Sequence, residues 1–200
     1  RAVPVTEQVF PARSIASMLT SNREPGVLLT GEFGDGRYEA SVGVFDGIPD
    51  GGASAEADLN DAKDGVLRLV FRPFIRSGGQ GVTVGYNGTT GIERGTTANA
   101  QLPRFLSPSA LSFFSYRESA GAVADGLRYR NGVFASAHSG RWGLNTEWFV
   151  NRQRVQRGAL VADINTAGWL GLADYVLSGE PSVQGGVAPA HPFDPAKGHW

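Results

Sequence analysis

The chain has 200 residues, of which 41% are hydrophobic and 18% charged, so it is neither a disordered acidic chain nor a supercharged one, and its length allows one or two domains. A formal net charge of -1 argues against a nucleic-acid partner, which selects a basic excess, and the absence of cysteine removes disulfides, thiolate metal sites and cysteine nucleophiles together. No stretch approaches the ~20 consecutive apolar residues of a membrane helix, which leaves a membrane β-barrel open. Glycine, at 28 residues, is about twice its ordinary share.

Arg1 is not a methionine, no charged-then-apolar leader follows it, and residues 191–200 stop just after a Pro-rich turn. The 200 residues are therefore expected to be a piece of a longer chain, incomplete at both ends. Helical periodicity is poor throughout, and alternation is what recurs. Residues 26–33 set Val27, Leu29, Gly31 and Phe33 against Leu28, Thr30 and Glu32. After the tight turn Gly34-Asp35-Gly36, residues 37–45 set Tyr38, Ala40, Val42 and Val44 against Arg37, Glu39, Ser41 and Gly43, with Phe45 out of place. A long polar, acidic connection covers about 46–65. Residues 67–74 set Leu67, Leu69 and Phe71 against Arg68, Val70 and Arg72, and the short stretch 77–81 leads into 82–87, where Val82, Val84 and Tyr86 alternate with Thr83, Gly85 and Asn87.

A very long connection, 88–126, follows. Residues 127–137 oppose Leu127, Tyr129 and Val133 to Arg128 and Arg130, with Asn131 and Phe134 breaking the pattern. The short turn around Ser139-Gly140 precedes 141–153, where Trp142, Leu144, Thr146, Trp148 and Val150 share one face and Arg141, Gly143, Asn145, Glu147, Phe149 and Asn151 the other. An intermediate connection, 154–165, leads to 166–177, with Trp169, Ala173, Tyr175 and Leu177 opposite Asp174 and with Leu170 and Leu172 on the wrong face. Period two over such lengths predicts strands with one apolar and one polar face.

These seven strands are joined by connections that alternate short and long. In an up-and-down barrel every second loop lies at the same end, and transmembrane barrels have short turns at one end and longer loops at the other. A soluble sandwich has no reason to sort its loops in this way. Trp142 and Trp148, on one face, are separated by roughly 20 Å of strand, close to the height of a barrel's apolar band, although two tryptophans in a sandwich core would read the same way.

A barrel turns the apolar faces to lipid and the polar faces to water inside. Arg37, Arg68, Arg72, Arg128, Arg130 and Arg141 then line the pore, where they raise the local concentration of small anions. Glu32, Glu39, Glu147 and Asp174 share that side and are expected to neutralise some of them. Sixteen of the eighteen basic residues are arginine, whose planar fork suits phosphate-like anions, although GC-rich codon usage gives the same bias.

Several stretches resemble the phosphate-selective porin O and P family of Gram-negative outer membranes. They are Phe10-Pro11-Ala12-Arg13-Ser14, then Asn22-Arg23-Glu24-Pro25-Gly26-Val27, and Gly43-Val44-Phe45-Asp46-Gly47. Phe113-Phe114-Ser115-Tyr116-Arg117 and Ala124-Asp125-Gly126-Leu127-Arg128-Tyr129-Arg130 follow, then Ala173-Asp174-Tyr175-Val176-Leu177-Ser178-Gly179-Glu180, Pro192-Phe193-Asp194-Pro195 and Trp200. The resemblance covers nearly all of the chain. It implies the middle of a single all-β domain, an antiparallel up-and-down transmembrane β-barrel of about sixteen strands, assembled as a homotrimer in outer-membrane lipid. It also implies passive conduction of small anions such as phosphate, with residues 1–24 as a pore-constricting loop bearing Arg13 and Arg23, and 88–126 as a long outer loop. The family's lysine cluster has no counterpart here: Lys63 and Lys197 are the only lysines and both fall in loop-like segments.

Other chemistry fails on inspection. Residues 58–63 lack the glycine of a calcium loop, the glycines at 78–81 lack the ending of a phosphate loop, and His138, His191 and His199 are too scattered for zinc. No nucleophile elbow or carboxylate pair stands out, Glu147 and Asp174 included, so neither an enzyme nor a cofactor is expected. The alternative is a soluble all-β binding module, a carbohydrate-binding-like sandwich that buries Trp142 and Trp148. Seven strands are too few to close a pore of this kind, so an open sheet is expected.

Overall fold

A computed structural model describes residues 24–48, 62–106, 111–116, 121–190 and 196. Among the described residues nine strands form in chain order: β1 Gly26–Phe33, β2 Tyr38–Phe45, β3 Asp64–Ile75, β4 Gly81–Arg94, β5 Arg104–Leu106, β6 Ser112–Ser115, β7 Ala122–Ser139, β8 Trp142–Arg157 and β9 Leu160–Tyr175. Seven make one sheet in the order β1-β2-β3-β4-β7-β8-β9, and every neighbouring pair is antiparallel. The sheet is an open meander, with β1 and β9 as its edges among the described residues. β5 and β6 pair only with each other, inside the connection from β4 to β7. Beyond β6, Tyr116 meets Phe114 edge-on at 5.2 Å, and burial pushes its phenol above the ordinary tyrosine range.

The sequence alternation fixes the faces. In register across the sheet, Gly31, Ala40, Leu69, Tyr86, Val133, Trp148 and Trp169 form one continuous row. The row beside it begins Phe33, Tyr38, Phe71, with rings stacked at 5.5 and 5.1 Å. This apolar face is uncovered: Trp142, Trp148 and Trp169 are 61%, 48% and 76% exposed. A sandwich would bury Trp142 and Trp148 against a second layer, so their exposure argues against the soluble-module alternative. The polar face carries the buried groups, Arg128, Arg130, Asn145 and Asn151 among them.

Apolar residues that break the alternation lie on the polar face, while the polar Asn131 lies on the apolar one. Phe134 and Phe149 are buried there, and Phe134 lies 5.0 Å beneath the guanidinium of Arg68. Asn131, on the apolar face, accepts a hydrogen bond from Tyr86 Oη, which removes the cost of its amide among apolar neighbours.

Short turns gather at one end of the sheet. The first spans Gly34–Arg37, where Gly34, Asp35 and Gly36 all take positive φ, as a tight hairpin turn requires. The others are residues 76–80 and the Gly140-Arg141 pair. At the opposite end the first two connections are long and the third differs from expectation. β8 runs to Arg157 and β9 starts at Leu160, so 154–165 is strand apart from a Gly158-Ala159 turn. The two strands pair on through polar sequence that carries no alternation. Likewise β4 runs to Arg94 and β7 begins at Ala122, which shortens the expected 88–126 loop to 95–121.

The chain after β9 turns back along the short-turn end. Val176 N–H donates to Arg141 O (2.9 Å), Ser182 N–H to Gly140 O (2.8 Å) and Gln184 N–H to Gly79 O (3.2 Å). Ser182 is buried, donates from Oγ to Asp174 Oδ2 and lies 3.0 Å from His138 Nδ1.

Candidate pore wall

Of the six arginines expected on the polar face, four sit on strand walls and two in turns. Arg68 and Arg72 project from β3 and share one carboxylate from β2. Arg68 Nε lies 3.2 Å from Glu39 Oε1, and Arg72 Nη2 lies 2.8 Å from Glu39 Oε2. Arg68 Nη1 also donates to Asn87 Oδ1 of β4, and Arg72 Nη1 to the Gly36 carbonyl. About a quarter of each arginine side chain remains exposed. Two positive groups on one carboxylate leave a net positive charge at a wet surface.

Arg128 and Arg130, two apart on β7, behave differently. Arg128 Nη2 lies 2.8 Å from Asp64 Oδ2 and 2.7 Å from Glu93 Oε1. Arg130 Nη1 lies 3.1 Å from the same Asp64 oxygen and 3.2 Å from Glu24 Oε1. Both also donate to the carbonyl of Ile48, at 3.0 and 2.7 Å. Arg128, Asp64 and Glu93 are at most 2% exposed, so these guanidiniums are consumed in holding the chain before β1 and after β2 against β3, β4 and β7.

Arg37 and Arg141 lie off the strand walls, in the short turns, because the strands begin one residue later than the alternation suggested. Arg37 Nη1 donates to Pro73 O, and Arg141 Nη1 to Tyr175 Oη; both are exposed. Arg13 and Arg23 lie outside the described residues. Lys63 is tied at the base of the 46–63 connection, 3.6 Å from Asp46 Oδ1.

The polar face is not uniformly positive. Four wall arginines share it with Glu32, Glu39, Asp64, Glu93, Glu147 and Asp174. Sequence reasoning expected neutralisation, but by a partly different set: Asp64, Glu93 and Glu24 hold the two buried arginines. Asp64 and Glu93 fall in segments that the alternation reads as loops, because the strand ends that carry them, at the start of β3 and the end of β4, lie beyond the alternating stretches.

An uncovered apolar face, a charged opposite face and an antiparallel meander are the features of a barrel wall. The sequence model of the family described as phosphate-selective porin O and P matches residues 5–200. The chain belongs to that family. No curated protein and no solved structure matches it. Membership makes it an outer-membrane porin of a channel family rather than of an enzyme family, and the all-β sheet fits a transmembrane barrel, though the sheet is not closed over the described residues.

Proposed function

We propose that this porin is a passive diffusion channel for small anions, phosphate among them. The observation that carries the reading is the Arg68–Glu39–Arg72 cluster: two partly exposed guanidiniums held around one carboxylate, on the face opposite Trp148 and Trp169. Held in place by hydrogen bonds, the two forks offer preorganised donors to a passing oxyanion, while their remaining exposure keeps binding weak enough for release.

In this reading the apolar face meets outer-membrane lipid and the polar face lines water. Strands beyond β1 and β9 complete a barrel of about sixteen, and three copies assemble. Arg37 and Arg141 place positive charge at the short-turn rim. Residues 1–24, with Arg13 and Arg23, are read as the segment that narrows the pore, a reading supported by the ion pair of Glu24 with Arg130 on the wall. The connections 46–63 and 95–121 lie at the outer end. Arg128 and Arg130 line the wall as supports and leave anion contact to Arg68 and Arg72.

The test is the reversal potential of the full-length protein in a planar bilayer under a salt gradient. Anion preference that weakens when Arg68 and Arg72 are both changed to Gln is the expected result. Cation preference in the unaltered protein overturns the proposal.

A further inference from the structure

We propose that Arg152 and Arg154, projecting from the outside of the barrel wall near its long-loop end, form a site for the phosphate groups of a membrane lipid headgroup. This rests on the porin reading, since it requires the apolar face to meet lipid.

Arg152 belongs to the same face of β8 as Trp142, Leu144 and Trp148. It lies ten residues from Trp142. Ten residues of strand span about 33 Å, and a tilt of ~40° projects this to about 25 Å, the height of the apolar band. One boundary is marked by Trp142 and Tyr175, with ring centroids 4.7 Å apart. The other is marked by Arg152 and Tyr129, where Arg152 Nη1 donates to Tyr129 Oη at 3.1 Å. Trp148, whose spacing from Trp142 alone suggests the second boundary, falls within the band beside Trp169 and Val133.

At that second boundary the arginines are arranged and underneutralised. Arg152 Nη2 is bonded to Asp163 Oδ2, and Arg154 Nε lies 3.4 Å from Asp163 Oδ1, so two guanidiniums share one carboxylate. Among the described residues Arg154 has no other side-chain partner, and 52% of its side chain is exposed. Its stem crosses β7 at a bulge, where Gly126 takes φ 132; a Cβ there would come within 2.7 Å of Arg154 Cδ. Arg94 and Asp125, opposite one another on β4 and β7, add one charge of each sign nearby. A net positive charge that faces out, one band-height from the aromatic belt, meets headgroups and not solutes in the lumen. Arginine's planar fork fits their phosphate oxygens, and Asp163 holds the pair in place.

The experiment reconstitutes the full-length protein into phosphatidylcholine vesicles with and without diphosphoryl lipid A and measures lipid retained per protein after detergent extraction. Channel current is recorded in parallel. The unaltered protein should retain diphosphoryl lipid A over phosphatidylcholine. Arg152→Gln with Arg154→Gln should reduce that retention roughly tenfold, as expected for lost charge-assisted contacts, with current unchanged. Asp163→Asn should raise it. Equal retention by the double variant, or equal retention of the neutral lipid, overturns the site and leaves the channel standing. Release of the bound lipid by inorganic phosphate alone overturns the headgroup assignment. An unaltered protein that does not insert into vesicles overturns both the site and the porin reading.

Discussion

Arg128 and Asp64 face one another 2.8 Å apart from strands β7 and β3, and neither is more than 2% exposed. An ion pair so dry contributes little when intact but is costly to break, because the remaining charge has no water. Arg128→Gln leaves Asp64 with Arg130 alone and should destabilise the barrel by about 3–5 kcal/mol. Urea unfolding in detergent micelles measures this. Arg68→Gln, at a partly exposed pair, should cost no more than ~1 kcal/mol. Similar costs at both positions would contradict the division between supporting and exposed arginines.

Selectivity should respond in the opposite pattern. Arg68→Gln with Arg72→Gln removes the exposed positive pair and should shift the reversal potential toward cations. Glu39→Gln keeps both guanidiniums, removes their shared carboxylate and should shift it toward anions. Bilayer recordings under one salt gradient give the sign of each change.

All seven sheet strands were legible, because their apolar faces repeat at period two across the apolar rows. Strand ends were less so. Beyond those rows both faces of a strand are polar, so Arg152 to Arg157 and Gly88 to Arg94 carry no alternation although they pair in register. Phe134, Leu170 and Leu172 break the alternation for another reason. They lie on the charged face, where Phe134 and Phe149 are buried, so apolar character did not mark the uncovered side. Arg128 and Arg130 lie on the polar face, but their partners Glu93, Asp64 and Glu24 come from 35 to 106 residues away, a separation no local pattern shows.

Ser182 joins His138 and Asp174, so it locks the chain after β9 onto the short-turn end. Ser182→Ala leaves two polar groups without that partner and should cost about 1–3 kcal/mol. The effect should be local: hydrogen exchange at residues 176–186 should quicken while β7 and β8 stay protected. Uniform quickening across the sheet would contradict a local lock.

The two faces should differ in their tolerance of charge. Leu29→Arg places a guanidinium on the apolar face of β1 and should cost about 2–4 kcal/mol in a bilayer if it lies near the midplane. Glu32→Arg, on the other face of the same strand, should change stability by only about 0.5 kcal/mol. Folding titrations into vesicles compare them, and equal penalties would argue against a lipid-facing side.

The most direct test is nitroxide scanning along β8, within 200 residues that hold no cysteine, after any cysteine elsewhere in the full-length protein is changed to serine. Single cysteines from residue 142 to 151, including Trp148→Cys and Glu147→Cys, are spin-labelled in the full-length protein in vesicles. Collision with oxygen, which concentrates in lipid, is compared with collision by a water-soluble nickel chelate. Oxygen should dominate at even positions 142 to 150 and fall at odd positions 143 to 151. Any chelate contact should be confined to the odd set. The opposite alternation, or chelate access at positions 144 and 148, would contradict a wall with lipid on its tryptophan side and water on its arginine side.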